Sequence, residues 1–159
     1  MLKTESASLL TSMLPDLEEV RLIPADNLHV TLCFLGNVAD DQRERLLLSA
    51  ARLDGVSTVA DICELTGYPS PSRATTIVAT LTENPLLFDW RNRFLDDWPG
   101  ARSNHQFAAH ITLARSRHRI RVPQATGWSE LKIELMPPEV YVSTTLATGA
   151  IYTRLSDQG

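Results

Sequence analysis

His29-Val30-Thr31-Leu32 and His110-Ile111-Thr112-Leu113 are near copies, 81 residues apart, and each lies in an apolar, β-favouring stretch. Side chains of a strand alternate between its two faces. His29 and Thr31 therefore project together, away from Leu28, Val30 and Leu32, and His110 and Thr112 separate in the same way from Ile111 and Leu113. A lone His-x-Thr is ordinarily a half-buried strand with its polar side in water. Two copies, each on the strand of a similar strand and helix unit, point instead to a pseudo-two-fold domain. Its equivalent strands would face one cleft, where two imidazoles and two hydroxyls converge.

The sequence around the repeat fits one such domain. The chain has 159 residues, 43% of them apolar and 21% charged, which is enough for one core and too short for two ordinary domains. Leu9, Leu10, Met13, Leu14 and Leu17 predict a helix over the first twenty residues, disturbed at Pro15-Asp16. Leu28 to Leu35 reads as a strand. A helix from Asp40-Asp41 to about Leu53 would bury Leu46, Leu47, Ala50 and Leu53. Strands are expected at Thr58 to Leu65 and Ala74 to Leu81. A helix capped by Asn84 and ended by Pro99-Gly100 would bury Leu87, Phe88, Phe94 and Leu95. Further strands are expected at Gln106 to Ala114, Leu131 to Met136, Val140 to Leu146 and Ala150 to Leu155. This order predicts an α+β domain with helices packed on mainly antiparallel sheets.

Composition narrows the function. A net charge of -4 argues against a protein that coats nucleic acid with its whole surface, but leaves room for a local basic site. Only Lys3 and Lys132 are lysine, so arginine carries the positive charge, and its planar fork suits phosphate or carboxylate. Cys33 and Cys63 are expected as free thiols. No apolar run approaches a membrane span, and Met1 to Leu10 does not resemble a secretory signal, so a cytoplasmic location is expected.

Paired imidazoles suit phosphodiester chemistry. One neutral histidine takes a proton from the attacking water or hydroxyl, and a protonated one returns a proton to the leaving oxygen. Threonine hydroxyls donate to the non-bridging oxygens as charge develops. The scheme calls for no metal and no cofactor. Acid and base effects of ~10²- to 10⁴-fold each would serve a ring-strained cyclic phosphate better than an unstrained diester.

Pro24-Ala25-Asp26-Asn27-Leu28-His29-Val30-Thr31-Leu32-Cys33-Phe34-Leu35-Gly36 and Phe107-Ala108-Ala109-His110-Ile111-Thr112-Leu113-Ala114-Arg115 resemble the two motifs of the two-histidine (2H) phosphoesterase superfamily. Within it the match is to the RNA 2',3'-cyclic phosphodiesterase branch, also called 2'-5' RNA ligase-like or LigT-like. The likeness runs from about Arg21 to about Tyr152. It implies a bilobal, pseudo-two-fold α+β fold with a central cleft and helices outside. It further implies that His29 and His110 are the acid and base pair, that Thr31 and Thr112 bind phosphate, and that Arg115 assists. For hydrolysis of a 2',3'-cyclic phosphate to a 2'-phosphate, His29 is assigned as the acid on the 3' oxygen and His110 as the base on water. Reversal of that chemistry would give 2'-5' ligation.

Three departures from the family pattern stand out. The apolar strand that usually opens the branch is not evident in Met1 to Ser8, which would leave a sheet edge uncovered. A monomer is expected, with dimerisation one way to cover such an edge. Ala109 stands where the branch usually has proline. Arg115 falls on the apolar parity of its strand, so it reaches phosphate only if the strand ends or twists there.

Other residues carry two readings each. Arg117, Arg119 and Arg121 with His118 suit either an electrostatic guide for an RNA end or a solvated loop or edge strand. Arg73 suits the cleft wall or simple exposure. Cys33 reads first as a small buried hydrophobe and second as a redox-sensitive thiol, while Phe34 and Phe107 read first as core and second as base-stacking surfaces. His105 and His118 lack a threonine partner and a recurring zinc spacing, so no metal site is expected. Besides RNA ends, a small cyclic nucleotide such as ADP-ribose 1'',2''-cyclic phosphate would suit the same residues. A non-catalytic nucleotide- or RNA-binding module of this fold is the third reading.

Overall fold

The computed structural model describes residues 1–53, 55–103, 105–147 and 149–156. Its contacts divide the chain into two units, each assembled from separated segments. One comprises Met1–Thr31, Ser57–Asn84 and Phe107–Met136; the other comprises Leu32–Val56, Pro85–Gln106 and Pro137–Gly159. The elements are mixed α and β, as the strand and helix patterning predicts.

The first unit is built on a five-stranded antiparallel sheet in the order β1-β4-β3-β2-β5. Its strands are β1 (Val20–Leu22), β2 (Thr58–Tyr68), β3 (Ala74–Leu81), β4 (His110–Ile120) and β5 (Lys132–Leu135). Ile62, Leu65, Ile77, Ala79, Ile111, Leu113 and Ile133 are buried along these strands, and a fully buried aliphatic side chain of leucine or isoleucine size contributes about 1.5–3 kcal/mol. Gly67 is fitted to this packing: a Cβ there would lie 2.4 Å from the Ala74 Cβ and 2.8 Å from Val122 Cγ2. Helix α1 (Thr4–Met13) buries Ser6, Ala7 and Leu10, and the Glu134 amide donates to Ser6 Oγ at 2.8 Å.

Helix α1 ends earlier than its leucine pattern predicts, because the backbone turns extended at Leu14, ahead of Pro15. The sheet edge expected to lie uncovered is paired by the residues ahead of α1. Leu2 bridges Leu135, the Lys3 amide donates to the Glu134 carbonyl, and the Met136 amide donates to the Met1 carbonyl. Residues 1–3 thus pair with the outer side of β5, and Lys3 forms an ion pair with Glu134.

The expected strand from Leu28 to Leu35 is not regular. A 3-10 turn at Ala25–Asn27 precedes it, and its one sheet tie is an antiparallel bridge from Val30 to Ile111. The β-favouring residues Leu32, Cys33, Phe34 and Leu35 find no ladder partner, because the chain passes there into the second unit. Ile23 donates to the Leu113 carbonyl at 2.8 Å, so β1 and the Val30 bridge occupy the same side of β4, separated by the turn.

The second unit holds α2 (Arg43–Ala51), α3 (Pro85–Asp97) and the hairpin of β6 (Tyr141–Leu146) and β7 (Gly149–Arg154). Helix α2 buries Leu46 and Ser49, whereas Leu47 and Ala50 of its expected stripe are half-buried. Trp98 Nε1 donates to Ser49 Oγ at 3.1 Å, and the Arg45 guanidinium lies over the Trp98 ring at 5.0 Å, a cation–π contact. Helix α3 buries Leu87, Trp90, Phe94 and Leu95, with Trp90 in place of the expected Phe88. No helix among the described residues is long and apolar enough to cross a membrane.

Candidate functional site

Both His-x-Thr segments belong to the first unit, and one backbone bridge ties them together. In an antiparallel pair, the residues on either side of a bridge face each other across it. The bridge from Val30 to Ile111 therefore sets His29 beside Thr112 and Thr31 beside His110. Alternation turns all four away from Val30 and Ile111, and Ile111 is fully buried on the other face. The two histidines thus stand diagonally across one small patch of sheet.

Each imidazole is oriented by a carbonyl two residues back. His29 Nδ1 lies 2.7 Å from the Asn27 carbonyl and His110 Nδ1 lies 2.9 Å from the Ala108 carbonyl. A carbonyl only accepts, so it places the proton on Nδ1 and leaves Nε2 as the working nitrogen of each ring. Burial holds the His29 pKa below the ordinary histidine value. The nearby positive charges of the chain's amino group and of His110 lower it further, against the opposing hydrogen bond to Asn27.

Arg115 joins the patch through a β-bulge. From Thr80–His110 to Val78–Thr112 the register of β3 on β4 is regular; the next pairs are Ile77–Ala114 and Thr76–Arg115, so β4 carries one extra residue at Leu113. Paired residues share a face. Thr76 and Val78 are two apart on one strand, so their partners Arg115 and Thr112 point the same way. The parity that would bury Arg115 is reversed within one residue. Arg115 is exposed, and its Nη1 donates to Thr76 Oγ1 at 3.3 Å.

Two residues of this face had no motif to mark them. Tyr68 at the end of β2 pairs with Thr76 and meets the His110 ring edge-on, at 5.5 Å between centroids and 88° between planes. Arg21 of β1 pairs directly with Arg115. The signal for Tyr68 was an aromatic closing a strand ahead of Pro69; Arg21 lies in a strand of three residues, too short for any periodicity.

Other candidates lie apart from this patch or outside the argument for it. Arg117, Arg119 and Arg121 are exposed, the first two on β4 itself, so this basic run begins as strand rather than loop. Arg73 is exposed in the turn before β3. Phe34, expected first as core, is 78% exposed, whereas Phe107 is half-buried. Cys33 and Cys63 are free thiols, and burial pushes the Cys33 thiol up despite the opposing charge of Arg91. No cluster of three metal-ligating side chains occurs among the described residues.

Solved structures match this chain over nearly its full length. A crystal structure described as a phosphoesterase superposes with a TM-score of 0.73 at 24% identity, covering 98% of this chain and 91% of the other. Apo LigT of E. coli gives 0.69 at 25% identity, covering 96% and 87%. The chain has the LigT-like phosphoesterase fold. TT0787 of Thermus thermophilus gives 0.70 at 17% identity, covering 96% and 88%. E. coli LigT has also been crystallised with 3'-AMP, NADP+, ATP and phosphate. No family profile and no curated protein matches the sequence.

Proposed function

We propose that this LigT-like protein is an RNA 2',3'-cyclic phosphodiesterase that opens the ring to a 2'-phosphate. The observation that carries the reading is the Val30–Ile111 bridge, which sets two His-x-Thr pairs side by side on one face. Water attacks phosphorus, the P–O3' bond breaks, one imidazole receives the water proton, and the other protonates O3'. The products are a 2'-phosphomonoester and a free 3'-hydroxyl. Thr31 and Thr112 donate to the non-bridging oxygens, and Arg115 neutralises their growing charge.

His29 is the acid and His110 the base in this direction, as the resemblance assigns them. The burial that lowers the His29 pKa favours its neutral form in the free protein. The acid role therefore depends on the phosphate anion, because a negative charge beside the ring favours its protonated form. Run in reverse, with an RNA 5'-hydroxyl as acceptor, the same groups would form a 2'-5' linkage.

The test is hydrolysis of a nucleoside 2',3'-cyclic phosphate and of an oligoribonucleotide ending in one, in excess chelator, with 2'- and 3'-phosphate products separated. Turnover to the 2'-phosphate is expected on both. Small nucleotides form the second reading, favoured by the 3'-AMP, NADP+ and ATP complexes of E. coli LigT. Turnover confined to small cyclic nucleotides would select it, and binding without turnover, unchanged in His29→Ala, would mark a non-catalytic module.

A further inference from the structure

The pairing of Arg21 with Arg115 sets like charges directly opposite each other on neighbouring strands. That arrangement is ordinarily destabilising. Paired positions bring the two Cβ atoms to about 5 Å and turn both side chains to the face that carries His110 and Thr112. Both arginines are exposed, and among the described residues neither has a carboxylate partner. Two carboxylates of the unit are engaged elsewhere, Asp61 with Lys132 and Glu134 with Lys3. Thr76 holds the Arg115 head on the β3 side, and Arg21 stands on the opposite side, across β4. With the bulge residue discounted, the arginine pair lies about two strand steps, ~7 Å, beyond Thr112, a gap that one nucleotide unit spans.

We propose that Arg21, with Arg115 standing between the two phosphates and serving both, forms a second phosphate subsite, which binds the phosphate one nucleotide away from the cyclic phosphate and so selects substrates carrying two phosphates. This rests on the phosphodiesterase reading of the His-x-Thr face. An anion between the two guanidiniums removes their repulsion and gains charge-assisted hydrogen bonds from both. Its source is either the internucleotide phosphate of an RNA end or the 5'-phosphate of a mononucleotide, which share this chemistry.

Calorimetric titration separates the possibilities with three product-like probes: a nucleoside 2'-phosphate, the nucleoside 2',5'-bisphosphate, and a dinucleotide ending in a 2'-phosphate. The full-length wild type is expected to bind at least one two-phosphate probe about tenfold more tightly than the single-phosphate probe. Arg21→Ala should reduce that ratio to threefold or less, and Arg21→Lys should restore part of it. A ratio on one variant does not depend on its folded fraction, so partial unfolding cannot imitate the result. A gain with the bisphosphate identifies a terminal phosphate, and a gain with the dinucleotide alone identifies the internucleotide one. A wild-type ratio near one, or a tenfold ratio surviving in Arg21→Ala, overturns the subsite and leaves the phosphodiesterase reading intact. Failure to bind any probe overturns both.

Discussion

The bulge at Leu113 makes a quantitative prediction about Thr76. If the bulge brings Arg115 to the reacting phosphate, the hydroxyl that steadies its guanidinium acts only through Arg115. Thr76→Val removes that hydroxyl while keeping a β-branched side chain in the strand. The bond is 3.3 Å long and exposed, so its loss is worth about 1 kcal/mol, or about fivefold in kcat/KM. Arg115→Ala removes a charge-assisted contact to phosphate, worth about 1.5–3 kcal/mol, or about 10- to 150-fold. Because one effect is routed through the other, the double variant should be no slower than Arg115→Ala alone. The assay is initial-rate hydrolysis of a nucleoside 2',3'-cyclic phosphate by all four proteins, with thermal midpoints as a folding control. Losses that multiply in the double variant, or a silent Arg115→Ala, would refute the placement of Arg115.

Other consequences follow from the same face. In the free protein, the proton NMR titration of the His29 ring should have its midpoint below 6.5, the ordinary value, and bound phosphate monoester should raise it; a midpoint at or above 6.5 without ligand would contradict the burial argument. The unfolded chain binds the His29 proton at a higher pH than the folded chain does, so stability should fall as pH drops from 6.5 through the folded pKa. His29→Gln should flatten that part of the curve, and equal slopes would contradict the linkage. Tyr68→Phe should retain most activity, because the contact with His110 is made by the ring. Tyr68→Ala should lose about tenfold through a less fixed imidazole, and equal rates for the two variants would count against that role.

Much of the site was legible because strand parity is a strict code. His29 with Thr31 and His110 with Thr112 could be assigned to common faces from spacing alone, and their near identity marked them as a pair. Parity also made Arg115 a puzzle, since Leu113-Ala114 reads as unbroken apolar strand and nothing in it announces an extra residue. A bulge is a property of two strands in register, visible only once β3 lies against β4. Arg21 and Tyr68 were hidden for the same reason, as each matters through a cross-strand neighbour rather than a sequence neighbour. Local signals placed α3 and β3 well, because Asn84-Pro85, Pro99-Gly100 and the Ala74 to Leu81 run punctuate the chain clearly. They overextended the strand after Leu28, where residues of high β propensity have no ladder to join.

The most direct measurement compares kcat for cyclic phosphate hydrolysis in His29→Ala, His110→Ala and the double variant, each checked for an unchanged circular dichroism spectrum. Either single change should lower kcat by about 10²- to 10⁴-fold, with the double variant little slower, because acid and base act on one phosphate in one step. A single variant within threefold of wild type would show that the two imidazoles are not partners in the reaction.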